Sequence, residues 1–305
     1  MLEDYLLLYL DYLESNNRSE NTIDQYGKEI NHFFTFLAEK NITDIKNIET
    51  IHIDLYQSKL MKINKSASVR KKMASLKSFF KYLHSRKYLK ENPTYALDPV
   101  KVKDVDRKKK ENLTVKEAMR LIEKTEENSI PSLKLRNKVL VMSFLFFGLR
   151  VSELCDLKTE DISFKEKTVH IKGKGGKIRE VPLFNELNAP FKEYLKTRTV
   201  NSEYFFTVKQ TNNPLKPDAV LDLIKRHAKM ARIKKHIGCH SLRRTAATLL
   251  LEAGIDIRKI QLFLGHSSIQ TTMLYLNPDI EQTKQEIREK NLLAKALKKN
   301  QKKKI

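Results

Sequence analysis

Between Val100 and Lys110 the chain reads Val-Lys-Val-Lys-Asp-Val-Asp-Arg-Lys-Lys-Lys, with no helical apolar stripe, while the segments on either side carry strong apolar periodicity. A charged run flanked by two patterned regions does not bury itself, so the chain divides into two separately packed domains. The length of 305 residues leads to the same expectation. The predicted boundaries are an N-terminal domain over 1–98, a basic linker over 99–112, a second domain over 113–297 and a disordered basic tail over 298–305 (Lys298, Lys299, Lys302, Lys303 and Lys304).

The first domain reads as an all-α bundle. Ile23, Tyr26, Ile30, Phe33, Phe34 and Leu37 recur at helical spacing, with Ser19 placed to cap that helix. Val69, Met73, Leu76, Phe80 and Leu83 repeat the pattern. Two more helices are predicted over Leu2–Leu13 and Thr50–Met61, and Asn92-Pro93 ends the helical pattern. The polar face of the Val69–Leu83 segment carries Arg70, Lys71, Lys72, Lys77 and Lys81. Such a face is ordinarily just solvated. Lys and Arg number 59 against 37 Asp and Glu, a net charge of +22, which shifts the reading toward phosphate contact. Lys108 and Lys109 in the linker belong to the same basic surface.

The same charge makes nucleic acid the first expected partner and an anionic membrane surface the second. No apolar run approaches the roughly 20 residues of a membrane span, and the N-terminus lacks a signal peptide's basic region. Cys155 and Cys239 are too few for a disulfide framework and read as buried small hydrophobes. No His, Cys and carboxylate cluster has zinc spacing, so neither metal nor cofactor is expected. The expected location is cytoplasmic and nucleoid-associated.

The second domain reads as mainly α with one small sheet. Thr114-Val115-Lys116-Glu117 is a capping box opening a helix through Ile122. Val139–Phe147 forms a buried helix that Gly148 can end in a left-handed cap, setting Arg150 just beyond it. Strands are expected over Thr168–Ile171 and Ile178–Leu183, around the glycine-rich tip Lys172-Gly173-Lys174-Gly175-Gly176-Lys177. Further helices fit Phe184–Thr197, Pro217–Met230, Leu242–Ala253, Ile257–Phe263 and Asp279–Leu297.

Into this apolar frame the chain sets His240-Ser241-Leu242-Arg243, then Leu264-Gly265-His266, then Tyr275. These groups suit attack on a phosphodiester: an arginine holds the phosphate, histidine moves protons and tyrosine is the nucleophile. His240 and Arg243 lie one helical turn apart and share a face. Arg244 points about 100° away from Arg243 on an ideal helix and is not assigned to the site. Arg150 is a second candidate phosphate ligand, although Glu153 could equally hold it in a simple surface pair. His266 could serve only its helix terminus. Tyr275, one of 11 tyrosines, would by itself read as core.

Taken together, Gly148-Leu149-Arg150-Val151-Ser152-Glu153-Leu154, Gly173 to Leu183, His240 to Arg243, Leu264-Gly265-His266 and Tyr275 resemble the tyrosine recombinase (phage integrase) family. The resemblance covers nearly the whole chain and is most specific in the second domain. It implies an N-terminal core-binding, SAM-like bundle and a C-terminal α+β catalytic domain. It makes Tyr275 the nucleophile, Arg150 and Arg243 the phosphate clamps, Glu153 the acid supporting Arg150, His240 a proton carrier and His266 a further phosphate donor. Lys174 becomes the acid for the leaving 5′-oxygen, with Lys172 and Lys177 as competitors for that role and as further DNA contacts.

The implied reaction is cutting and rejoining of duplex DNA through a 3′-phosphotyrosyl link, without metal or ATP. Exchange between two duplexes implies a homo- or hetero-tetramer on paired half-sites, with the C-terminal helix docking on a neighbouring subunit and a DNA translocase or accessory protein as a possible regulator. The bundle begins at the N-terminus, without the arm-binding domain of many phage integrases. That favours the Xer-like subgroup, which resolves chromosome or plasmid dimers, over an integrase or excisionase of a mobile element. A type IB topoisomerase, a non-catalytic DNA-binding protein and a membrane-surface protein stand as the alternatives.

Overall fold

A helix with one apolar stripe is stable only when that stripe is covered, and the first half of the chain covers its stripes with one another. The computed structural model describes residues 2–101, 111–127, 131–208, 211–265 and 280–302. The chain falls into two units, Met1–Lys109 and Lys110–Ile305. In the first, helices α1 (Leu2–Ser15), α2 (Glu20–Ala38), α3 (Thr50–Ile63) and α4 (Ser66–Ser85) bury Tyr9, Ile30, Phe33, Tyr56, Leu76, Phe79 and Phe80 in one core. Ser19 stands at the N-cap of α2, but its hydroxyl bonds with Thr22 Oγ1 at 2.8 Å rather than with a backbone amide. Helix α4 stops before Asn92-Pro93, and Asn92 Oδ1 instead accepts the Thr94 amide at 2.9 Å in a local turn.

The second unit is built around α6 (Pro131–Phe147), which packs against α5 (Val115–Lys124), α8 (Asn185–Thr197) and α10 (Cys239–Glu252). Thr114 Oγ1 accepts the Glu117 amide and Glu117 returns a bond to the Thr114 amide, completing the expected capping box. Short α7 (Val151–Cys155) starts at Arg150. Three antiparallel strands follow in the order β1 (Ile162–Ser163), β2 (Thr168–Lys172) and β3 (Ile178–Pro182). Helices α9 (Pro217–Met230) and α11 (Ile257–Leu264) complete the frame.

Three expectations are corrected. Glu111 and Asn112, assigned to the linker, are built into the second unit: Arg244 NH2 donates to Glu111 O at 2.8 Å and Asn112 Nδ2 to Thr248 Oγ1 at 2.8 Å. Arg244 is thereby accounted for as a structural residue. The single helix expected over Asp279–Leu297 is two, α12 (Ile280–Lys290) and α13 (Leu292–Lys302), because Asn291 Oδ1 accepts the Ala294 amide and starts a new helix. The basic tail is helical through Lys302, since lysine favours helix and the preceding Leu292-Leu293-Ala294 supplies an apolar anchor.

These last helices pack on their own domain. Ile287, Leu293 and Ala294 belong to the second core, and α13 lies against α5, α8 and α10. Lys298 Nζ sits 3.3 Å from Glu186 Oε1, an ion contact rather than a directed hydrogen bond. We expect Leu293→Ala to lower stability by about 2–5 kcal/mol in urea unfolding. A near-neutral effect would show that α13 is not seated in its own domain.

Candidate active site

Helix α6 ends at Phe147 with Gly148 in the left-handed conformation, φ 60°. A side chain there would be strained, and its Cβ would stand 2.3 Å from Leu264 Cδ2. Glycine thus lets the ends of α6 and α11 touch. The chain then turns through Leu149 and sets Arg150 at the N-cap of α7, where Glu153 Oε2 accepts the Arg150 amide at 2.8 Å. Glu153 faces inward, its side chain only 3% exposed.

Three arginines meet on this carboxylate. Arg150 NH1 donates to Glu153 Oε1 at 2.6 Å. Arg179 donates through NH1 to Oε1 at 3.0 Å and through NH2 to Oε2 at 2.8 Å. Arg243 NH1 lies 3.6 Å from Oε2. The same arginines take the last carbonyls of α11 in order: Arg179 Nε bonds Phe263 O at 3.0 Å, Arg243 NH2 bonds Leu264 O at 2.7 Å and Arg150 NH2 bonds Gly265 O at 3.1 Å. Arg243 NH1 also bonds Gly148 O, at the end of α6, at 2.6 Å. Positive charge at helix C-termini is favourable, because the unpaired carbonyls there carry the negative end of the helix dipole.

The ionisation follows from these contacts. Burial pushes the Glu153 pKa upward, but the hydrogen bonds and charge of Arg179, and then those of Arg150, outweigh it and hold the value at about 2. Burial lowers the Arg243 pKa to about 10, with Arg150 adding to the effect and Glu153 opposing it. Three guanidinium charges against one carboxylate leave 3 − 1 = 2 positive charges, a centre suited to an anion.

His240 lies exposed in the first turn of α10, one turn ahead of buried Arg243 on the same helix. Lys174 lies at the tip of the β2–β3 hairpin, flanked by exposed Lys172 and Lys177. His266 and Tyr275 lie outside the described residues, as do Lys108 and Lys109. Cys155 and Cys239 are buried, and burial pushes their thiols up to about 12 and about 11.

Of the bundle cations, Arg70, Lys71 and Lys81 are exposed. Lys72 pairs with Glu29, and Lys77 donates to Leu97 O at 3.1 Å, so these two are engaged in holding the bundle. No motif marks Arg179 as a site residue in the sequence. Its signal was the strand alternation: Arg179 shares a face with buried Val181 and pairs across the sheet with buried Ile171, while Ile178 is 67% exposed. An arginine on the inward side of a strand requires a partner, and Glu153 is that partner.

Residues 111–282 match the phage integrase family, and residues 6–87 match the N-terminal SAM-like domain of phage integrase. A tyrosine recombinase of Pseudothermotoga lettingae is 35% identical over 282 residues, covering 90% of this chain and 94% of that one. Tyrosine recombinase XerC of Thermodesulfovibrio yellowstonii is 31% identical over 287 residues, covering 91% and 92%. The fold is similar to that of lambda integrase in a dimer bound to a COC′ core site, with a TM-score of 0.71 at 20% identity over 88% of this chain and 96% of that one.

The arginine cluster makes stability depend on pH. The folded Glu153 pKa lies below its ordinary value of 4.5, so its contribution is complete above pH 4.5 and is lost as pH falls toward 2. The loss amounts to about 3 kcal/mol. Glu153→Gln, which leaves three arginines without their counter-charge, is expected to lower stability by about 3–5 kcal/mol at neutral pH and to flatten this acid dependence. Urea unfolding from pH 2.5 to 7 measures both, and an unchanged midpoint in the variant would show that Glu153 does not hold the cluster together.

Proposed function

The chain belongs to the phage integrase family of tyrosine recombinases, and from that premise we propose a residue-level mechanism and an Xer-like task. The protein is a site-specific recombinase that cuts and rejoins duplex DNA, and its task is to resolve chromosome or plasmid dimers. The Xer names of its relatives, such as XerC, support that task. The observation that carries the mechanism is the convergence of Arg150, Arg179 and Arg243 on one buried carboxylate, since a site with net positive charge and fixed N–H donors is suited to a phosphodiester.

Tyr275 Oη attacks the scissile phosphorus while the bond from phosphorus to the 5′-oxygen breaks. A phenol with an ordinary pKa near 10 needs help to attack. His240 takes its proton, and the arginine charge stabilises both the phenolate and the pentacovalent state. Lys174 gives a proton to the leaving 5′-oxygen, and His266 adds a donor to the phosphate. The product is a 3′-phosphotyrosyl enzyme with a free 5′-hydroxyl. A partner strand's 5′-hydroxyl then reverses the step, and the covalent link conserves the phosphodiester so that no ATP is consumed. Exchange between two duplexes takes four such strand cuts, hence four subunits on paired half-sites. The exposed Arg70, Lys71 and Lys81 bind backbone phosphates and contribute affinity rather than sequence reading.

Duplexes of randomised sequence carrying a nick, which lets the leaving strand diffuse away, test this reading. Wild type is expected to give an SDS-resistant adduct whose DNA reports the target site, and Tyr275→Phe to give none. Arg150→Ala and Arg243→Lys are expected to slow adduct formation on the order of 10²–10³-fold each while site binding persists. An adduct that survives Tyr275→Phe would sink the assignment of the nucleophile. Loss of site binding in both arginine variants would mean that the cluster builds the fold rather than the reaction centre.

A further inference from the structure

We propose that Arg179 is a positioning residue for strand cleavage: it holds both oxygens of Glu153 and so leaves the Arg150 guanidinium turned outward, toward the phosphate. This rests on the recombinase reading above and adds a residue to it.

A carboxylate facing a single arginine binds it fork to fork, through two parallel hydrogen bonds. Glu153 is bound in that way by Arg179, at 3.0 and 2.8 Å, and not by Arg150. Arg150 reaches the carboxylate through NH1 alone and directs NH2 to Gly265 O. The exposures follow the same division. The Arg150 side chain is 37% exposed, that of Arg179 13% and that of Arg243 4%. Arg150 is therefore the arginine of the three most open to an incoming ligand.

Arg179 is itself fixed. Its strand partner is Ile171, its Nε holds Phe263 O, and Gly265 packs against it so closely that an added Cβ would stand 3.1 Å from Arg179 Cδ. A rigid Arg179 keeps Glu153 occupied. Without it, Glu153 can close on Arg150 bidentately and draw that guanidinium inward, away from the phosphate. Lysine at 179 keeps the charge but has no planar fork, so it cannot occupy both carboxylate oxygens in the same way.

The test compares wild type, Arg179→Lys and Arg179→Ala in single-turnover adduct formation on nicked target duplexes. One substrate carries the natural scissile phosphate and the other a methylphosphonate, which is neutral and needs less cationic stabilisation. Half-site affinity and the thermal unfolding midpoint are measured in parallel. Both variants are expected to be slower on the phosphate by on the order of 10²-fold, with affinity within about threefold of wild type. Most of that loss should be regained on the methylphosphonate. An equal loss on both substrates would overturn the proposal and leave Arg179 as a structural residue, the more plainly so if the midpoint falls. An Arg179→Lys enzyme as fast as wild type would overturn it as well, since charge alone would then suffice. If Arg179→Ala does not fold, the lysine variant decides between these outcomes. A wild type that forms no Tyr275-dependent adduct would instead sink the recombinase reading, and this proposal with it.

Discussion

A carboxylate taken out of water stays ionised only where fixed donors replace the water it has lost. Glu153 meets that condition with four hydrogen bonds from Arg150 and Arg179 and the nearby charge of Arg243. The dependence runs in the other direction too. Three guanidinium groups would repel one another at this separation, and the one negative charge among them makes the cluster tenable. Four chain segments meet there: the turn after α6, strand β3, the second turn of α10 and the end of α11. The packing of the second unit and the positive charge at its centre thus have a common origin.

The end of α11 shows how economically the backbone takes part. The last carbonyls of a helix lack intrahelical partners. Here Phe263, Leu264 and Gly265 each receive an arginine, and each arginine is oriented by the carbonyl it serves. Gly148 belongs to the same joint, because only a residue without a side chain lets Leu264 lie against the end of α6. A substitution at Gly148 would therefore disturb arginine placement without touching an ionisable group.

Much of this was legible in the sequence, and what was not has physical reasons. The helices of both units announce themselves through apolar spacing, and the Thr114 capping box and the Gly148 helix end follow from local backbone chemistry. Arg150, Glu153, His240 and Arg243 could be singled out because spacing and resemblance agreed on them. Arg179 could not, because its significance lies in a contact with Glu153, distant in the chain, and strand alternation was masked by the exposed apolar Ile178. The break at Asn291 was hidden for a similar reason. A single side-chain cap outweighs a continuous helical pattern, and composition does not reveal when such a cap forms. Lys72 and Lys77 read as free surface cations until the bundle supplied Glu29 and the Leu97 carbonyl.

The charge count at the centre bears directly on the proposed chemistry. A phosphodiester carries one negative charge, and the pentacovalent state formed when a phenolate attacks it carries two. With three arginines and one carboxylate, the centre carries 3 − 1 = 2 positive charges. On the proposed reading, a cationic centre stabilises the doubly charged pentacovalent state more than the singly charged substrate, which is the condition for accelerating a reaction and not merely binding DNA. Glu153 sets that balance. Without its charge the cluster would lose the one group that offsets the mutual repulsion of its three arginines. Because the donors are held by helix ends and a strand, little reorganisation is needed as charge develops, and a low-dielectric surround makes each donor count for more.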